Sequence, residues 1–336
     1  MLTNDKIIVK VTHPWPDLHS KKDPILGQTP NASGIWGNYQ FEVNNDCTEC
    51  DYWIIADDIT KPIQVKVPAG NVILLTTEEV DVKTYEPNYL KQFDRIITSR
   101  SDIQSQNVIH SHYINWWFVK KGLDELSQNS YLDKTKTISL VSSNLTKTQG
   151  HKDRFAFAQK LMDHFKDRLD VYGRGFNFIE DKFDAIAPYK YSIVIENSSI
   201  EDYFTEKLID CYLCNTMPIY FGCPNIAKYF NPKSMILIDI HNYQSSIRTI
   251  EKAIEEDIYT QSIDYIKEAK KLALQQYQFF PAISSMLGAL NSLHSTAVKK
   301  LIKIYPQDKY VSGHQTTTGY KSILKTGLKF IKSRLR

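Results

Sequence analysis

Polar and apolar positions along this chain follow two rhythms. Short β-branched or aromatic runs closed off by polar residues, proline or glycine read as buried strands, and apolar residues recurring every three or four positions read as helices. In the first part of the chain the strand runs are Lys6–Val11, Tyr52–Ala56, Asn71–Thr76 and Ile96–Ser99. His13-Pro14-Trp15-Pro16 and the Gly/Asn/Pro-rich stretch to Asn38 read as a long surface loop. From Thr137 onward, a strand over Thr137–Ser142 precedes a helix over Lys152–Leu169, whose Phe155, Ala158, Leu161, Met162, Phe165 and Leu169 recur at helical spacing. Val171-Tyr172-Gly173 is a further strand, and residues 242–296 are mostly helical. Strands alternating with helices predict two Rossmann-like α/β domains, dividing near Tyr131–Lys136.

The stretch Tyr189–Phe230 carries the most information. Tyr191–Ile195 reads as a buried parallel strand. It ends in Glu196-Asn197-Ser198-Ser199, four polar residues where an open α/β sheet places its ligand crevice. A helix begins near Thr205 with Glu206 and Lys207 in its first turn, and Leu208, Ile209, Tyr212 and Leu213 face the sheet. A second strand, Met217–Phe221, closes at Gly222 and Pro224. A cation at a helix start is electrostatically unfavourable, so Lys207 points to a visiting anion; the competing reading is a solvated surface lysine.

At these residues the chain resembles a known family. The segments ENS (Glu196–Ser198), DYFTEK (Asp202–Lys207), MPIYFG (Met217–Gly222), NIAKYF (Asn225–Phe230) and NPKS (Asn231–Ser234) resemble the signature of the family-10 glycosyltransferases, the α-1,3/4-fucosyltransferases. The likeness is to bacterial members that decorate lipopolysaccharide with Lewis-type sugars. It runs from about Thr137 to Asp239, is faint before Tyr131 and is not claimed after Leu287. It implies the GT-B architecture, two Rossmann-like domains facing a cleft. Residues 1–133 would form an N-terminal acceptor-side domain, 134–300 a nucleotide-sugar-binding domain, and 301–336 a C-terminal helix with a basic amphipathic tail. It also implies an inverting, metal-independent transfer of fucose from GDP-fucose to a hydroxyl of a glycan acceptor, N-acetylglucosamine-containing and of lipopolysaccharide type.

Sugar transfer from a nucleotide diphosphate builds negative charge on the leaving phosphate, which fixed cations and helix N-termini can meet. Lys207 is one such cation. Arg154 is the second, near the start of the helix that follows strand Thr137–Ser142, and its forked donors suit phosphate oxygens; His151 and Lys152 compete for the role. The resemblance implies that Arg154 and Lys207 grip the pyrophosphate together, that Glu206 takes the two ribose hydroxyls, and that Asn197 and Tyr203 line the nucleotide pocket. Ser143 and Asn144 are candidates to contact phosphate through backbone amides, or are routine turn residues. Glu196 is expected to tie the crevice backbone together. Direct displacement needs a carboxylate base from the first domain. The strand NVILLTTEEV delivers Glu78 and Glu79 to its C-terminal end, followed by FDRIITSRSDI (Phe93–Ile103). The family pattern puts Glu78 on the base, with Glu79 as alternate, and adjacent strand residues point to opposite faces, so only one can serve.

Composition narrows the class. At 336 residues, 42% apolar and 24% charged, the chain has ample core for two domains. The net charge of +3 is too small to argue for nucleic acid. No apolar run near the N-terminus is long enough to span a bilayer, so a cytoplasmic enzyme is expected. Five cysteines, an odd number, fit a reducing compartment. The pairs Cys47/Cys50 and Cys211/Cys214 invite a zinc reading, but a shared site would need both domains to meet, and free thiols are expected instead. Trp116 and Trp117 are either acceptor-stacking residues or core. No P-loop motif and no D-x-D at a strand end occurs.

The last residues are distinct. From Tyr320 on, Ile323, Leu324, Leu328, Ile331 and Leu335 recur at helical steps among six Lys or Arg, and no acid follows Asp308. A basic amphipathic helix over 320–336 would hold the protein on the inner face of an anionic membrane. Three readings stand at this point: a GDP-fucose-dependent transferase, the same chemistry with another nucleotide sugar, and a non-catalytic glycan-binding protein. The set Arg154, Glu206 and Lys207 argues against the last.

Overall fold

Two parallel sheets organise the computed structural model, which describes residues 6–15, 24–114, 116–128, 133–291 and 298–311. The first unit comprises the described residues up to Ile114 together with those from Phe279 onward, and the second those from 116 to 278.

In the first unit the strands are β1 (Ile7–Thr12), β2 (Ile35–Trp36), β3 (Tyr39–Val43), β4 (Tyr52–Ala56), β5 (Ile63–Pro68), β6 (Val72–Leu75), β7 (Arg95–Thr98) and β8 (Val108–His110). Their sheet runs β2-β3-β1-β4-β6-β7-β8 and is parallel except for the short edge strand β2. Every residue of β4 is buried, as a strand covered on both faces requires. Trp53, Val65, Val67, Leu74, Tyr89 and Ile96 belong to one apolar cluster; each such side chain is worth about 1.5–3 kcal/mol of burial. The indole of buried Trp53 donates to Thr12 Oγ1 at 3.0 Å, so its polar edge is satisfied.

In the second unit, β9 (Lys136–Val141), β10 (Asp170–Tyr172), β11 (Tyr189–Ile195), β12 (Met217–Phe221) and β13 (Ile236–Leu237) are all parallel, in the order β10-β9-β11-β12-β13. The chain leaves β9 for β10 on one side and returns to β11 on the other. The order therefore reverses between β9 and β11, and their carboxyl ends open the crevice where doubly wound sheets bind ligands.

Helices in chain order are α1 (Pro87–Leu90), α2 (Leu123–Ser127), α3 (Gln149–Phe165), α4 (Lys182–Ile186), α5 (Glu206–Leu213), α6 (Tyr243–Glu255), α7 (Ile258–Leu272) and α8 (Phe279–Asn291). A π turn, Ala273–Tyr277, follows α7. Helix α3 starts a turn earlier than its apolar spacing suggests because Thr148 and His151 close a capping box, and it stops at Phe165 before Lys166. Helix α5 begins where expected, with the Thr205 hydroxyl accepting from the Lys207 amide.

Three expectations need correction. The units change over at 114/115 and 278/279, against boundaries expected at 133/134 and 300/301. The reason is tertiary: Phe279 and Phe280 of α8 pack on Phe41, and β14 (Lys299–Ile304) pairs antiparallel with β5. The stretch read as a loop to Asn38 contains β2 and a fully buried Thr29, whose hydroxyl accepts from the Gly34 amide at 2.9 Å. Glu78 and Glu79 follow β6 in a bend, so strand alternation does not govern them. The basic tail 320–336 lies outside the described residues.

Candidate active site

The crevice of the second unit is assembled from the loops after β9 and β11. Gly150, in the first turn of α3, lies so close to Asn197 that a Cβ there would stand 1.7 Å from the Asn197 carbonyl oxygen. That contact brings the α3 N-terminus against the polar segment after β11. Gly173 is held the same way: its φ is +110°, and a Cβ would meet the Ser142 carbonyl oxygen at 2.1 Å. The ends of β9, β10 and β11 are thus drawn together by backbone approach that side chains would block.

Arg154 is 6% exposed, and its guanidinium spans the crevice, donating to Asn197 Oδ1 and, at 2.9 Å, to Ser143 Oγ. Of its two competitors, His151 is buried in the capping box and Lys152 is exposed. The Asn144 amide donates to the Arg174 carbonyl at 3.0 Å, so it is engaged within the fold. Glu196 is 1% exposed and organises the next layer, accepting from the Thr205 amide at 2.8 Å, the Thr205 hydroxyl and Lys207 Nζ at 3.0 Å. It ties the crevice backbone together as expected. It also supplies Lys207 with a resident counter-charge, so the ammonium at the start of α5 is neither a solvated surface lysine nor evidence by itself for an anion. Glu206 is buried beside it and lies 3.6 Å from Lys182 Nζ. Tyr203 is 5% exposed, between Asp202 and the start of α5. Burial opposes ionisation of Asp202, yet donors from Tyr229, Asn225 and Lys228 hold its carboxyl below the ordinary value. Of the expected donor group Arg154, Ser143, Asn144, Asn197, Tyr203, Glu206 and Lys207, the structure joins Arg154 to Asn197 and Ser143, sets Lys207 on Glu196 and places Glu206 near Lys182. Sequence reasoning missed Lys182, whose approach to α5 is tertiary and leaves no local pattern.

The first unit holds the other candidate group. Beyond β4, Asp57 has φ +60° and accepts from the Thr77 amide at 2.7 Å, the Thr77 hydroxyl and the Tyr85 hydroxyl. Beyond β7, Arg100 is 6% exposed and forks onto Asp102 at 2.8 and 2.6 Å. Its other end donates to the carbonyls of Glu78 at 3.2 Å and Lys83 at 2.6 Å, and the guanidinium lies 5.1 Å from the Tyr85 ring centroid. Residues 77–85 are therefore clamped at several points. Within that loop the Glu79 side chain is 2% exposed and Glu78 is half-buried.

The remaining candidates are structural. Trp116 and Trp117 are 4% and 3% exposed, and the Trp117 indole donates to the Lys121 carbonyl at 3.0 Å. All five cysteines are free thiols, and burial pushes Cys50 and Cys211 up to about 12. No group of three or more potential metal ligands occurs among the described residues.

Residues 131–256, the stretch that builds this crevice, match the family model for Glycosyltransferase family 10 (fucosyltransferase) C-term. This segment is similar to the C-terminal part of the family-10 glycosyltransferases. The family-10 segment begins just before β9 and ends with α6, so it takes in Ser143, Arg154, Asn197, Glu206 and Lys207 and excludes Glu78. Over 133 residues the chain is 36% identical to the alpha-(1,3)-fucosyltransferase FucT of Helicobacter pylori, covering 39% of this chain and 24% of that protein. It is 26% identical over 180 residues to the GDP-fucose protein O-fucosyltransferase 3 of Xenopus laevis, covering 46% of this chain and 38% of that one. The chain thus spans well under half of either relative. A crystal structure of an alpha1,3-fucosyltransferase aligns with 84% of this chain and 94% of its own, at 18% identity and a TM-score of 0.48.

Proposed function

We propose that this protein is an inverting fucosyltransferase, moving fucose from GDP-fucose to a hydroxyl of a glycan acceptor. The observation that carries the proposal is a coincidence of place. The family-10 match covers the β9–β11 switch point, where Arg154 and Lys207 are held by named partners rather than left to solvent.

In this reading the bond between the sugar carbon and the β-phosphate oxygen breaks, and the charge appearing on the phosphate is met by Arg154, Lys207 and the α3 and α5 N-termini. These supply positive charge without a divalent ion. Glu206 accepts from the ribose hydroxyls, while Asn197 and Tyr203 line the nucleotide pocket. Glu78 takes the proton from the acceptor hydroxyl; its half-buried side chain is more accessible than that of the buried Glu79, which favours it. Residues 320–336 would dock on an anionic membrane beside a lipid-linked acceptor of lipopolysaccharide type, which places the enzyme at the cytoplasmic membrane face. Both curated relatives are named as fucosyltransferases, and the name of the Xenopus laevis one specifies a protein acceptor, so a protein hydroxyl is the second acceptor reading.

Calorimetric titration with GDP, GDP-fucose, UDP and other sugar nucleotides tests the donor. Micromolar GDP-fucose binding that is lost in Lys207→Ala is expected. Preference for another nucleotide would discard fucose, and binding of none would revive a non-catalytic role. Turnover on glycan and peptide acceptor panels, with and without excess chelator, separates the acceptor readings and checks the metal-free chemistry.

A further inference from the structure

Lys182 opens α4, and its side chain reaches α5. Its Nζ stands 3.1 Å from Asp210 Oδ2 and 3.6 Å from Glu206 Oε1. The two carboxylates lie one helical turn apart, with Glu206 2% and Asp210 0% exposed, while the Lys182 side chain is 15% exposed. One ammonium therefore serves two buried negative charges. It also lies 5.1 Å from the centroid of the Phe118 ring, and the Phe118 amide donates to Asp210 Oδ1 at 2.9 Å. Burial pushes the Asp210 carboxyl above its ordinary value, with Lys182 opposing and the neighbouring Glu206 charge adding to the rise.

Without the ammonium, two like charges would face each other in a region of low dielectric, and Glu206 would lose the cation 3.6 Å from its carboxylate. A carboxylate receives a vicinal diol best when it is ionised and aimed, since only then are both oxygens acceptors. We infer that Lys182 is a positioning residue of the donor site, holding the Glu206 carboxylate for the ribose hydroxyls of a nucleoside diphosphate. This rests on the donor reading above and adds to it the residue that sets ribose recognition.

The test is the ratio of affinities for GDP and 2′-deoxy-GDP, measured by calorimetry on the full chain. A charge-assisted hydrogen bond is worth about a tenfold to a hundredfold difference in affinity, so the wild-type protein is expected to favour GDP by roughly that ratio. In Lys182→Met the ratio falls toward one because GDP weakens and the deoxy analogue does not. Glu206→Gln lowers it equally, and the double variant loses nothing further. Asp210→Asn keeps the ratio, since its amide oxygen still accepts from Phe118 and Lys182 keeps its approach to Glu206. Should Lys182→Met not fold, its combination with Asp210→Asn removes one charge of each sign, and the ratio falls there too. An unchanged ratio in the Lys182 variants, or equal weakening of both nucleotides, overturns the inference alone. Binding of neither nucleotide by the wild-type protein overturns the donor reading and the inference with it.

Discussion

Lys270, in the last turn of α7, is 2% exposed, and its ammonium has no hydrogen-bond partner among the described residues. Burial lowers its pKa to about 8, with the Cys214 thiol acting the other way. An unpaired buried charge costs more than an apolar side chain of the same length. Lys270→Met should therefore raise stability at pH 7, by about 1–3 kcal/mol, read from urea melts. The sign with pH follows from the lowered value. Between about pH 8 and the ordinary lysine value the unfolded chain binds more protons than the folded one, so this group's contribution to stability rises with pH. The advantage of Lys270→Met should be full below pH 8 and shrink toward pH 10.5. Cys211, pushed up to about 12, acts oppositely above pH 9, so the difference between variant and wild type is the quantity to plot. At the donor site, Arg154→Lys keeps the charge but loses the fork to Asn197 and Ser143; it should cut turnover by about two orders of magnitude, and full activity would refute the phosphate assignment. Arg154 was legible because strand, polar turn and helix start are contiguous. Glu196 was legible as the residue that ties the crevice backbone, but its ion pair with Lys207 was not. Lys182 was not, since a lysine in a five-residue helix looks like any surface lysine until α4 is laid against α5.

At the level of elements, the loop between β6 and α1 shows how a candidate base is held. Arg100 ties the carbonyls of Glu78 and Lys83, and Asp57 ties Thr77 and Tyr85, so the loop depends on two side chains from neighbouring strand ends. Arg100→Ala removes one of these ties and leaves the second unit untouched. If Glu78 is the base, a shift of the loop by about 1 Å costs on the order of a hundredfold in turnover. GDP affinity measured on the same variant should stay at the wild-type value. Unchanged turnover would move the base elsewhere. Strands β4 and β12 were readable to the residue because both are continuous apolar runs. Strands β5 and β14 were not. Strand β5 alternates lysine or glutamine with apolar residues, β14 mixes three lysines with Leu301, Ile302 and Ile304, and the two pair across more than two hundred positions, from Ile63↔Ile304 to Pro68↔Lys299. A short run so rich in lysine carries little apolar signal of its own, and its pairing depends on a distant partner.

The first unit as a whole is discontinuous, and this sets what can be removed from the chain. Residues 279–311 give it α8, whose Phe280 lies 5.0 Å from the Phe41 ring, and β14, which is the ladder partner of β5. They also give it Gln307, whose amide donates to Asp58 Oδ1 at 3.0 Å and whose side-chain oxygen accepts from the Glu86 amide. A chain ending at Gln278 would strip β5, where Val65 and Val67 are fully buried, of its ladder partner and of Ile304 in its core cluster, and would leave Phe41 without Phe279 and Phe280. Loss of that many core contacts exceeds the stability of an ordinary domain. Limited proteolysis should then degrade residues 6–114 while 116–278 resist. A chain ending at residue 319 keeps every one of these contacts. Both units should remain protected in it, and GDP binding should match wild type. The same truncation removes six Lys or Arg, each worth about 1 kcal/mol against an anionic surface. It should therefore fail to sediment with phosphatidylglycerol liposomes that retain the full chain. Liposome binding that survives the truncation would assign the membrane contact to the folded units and leave 320–336 without that role.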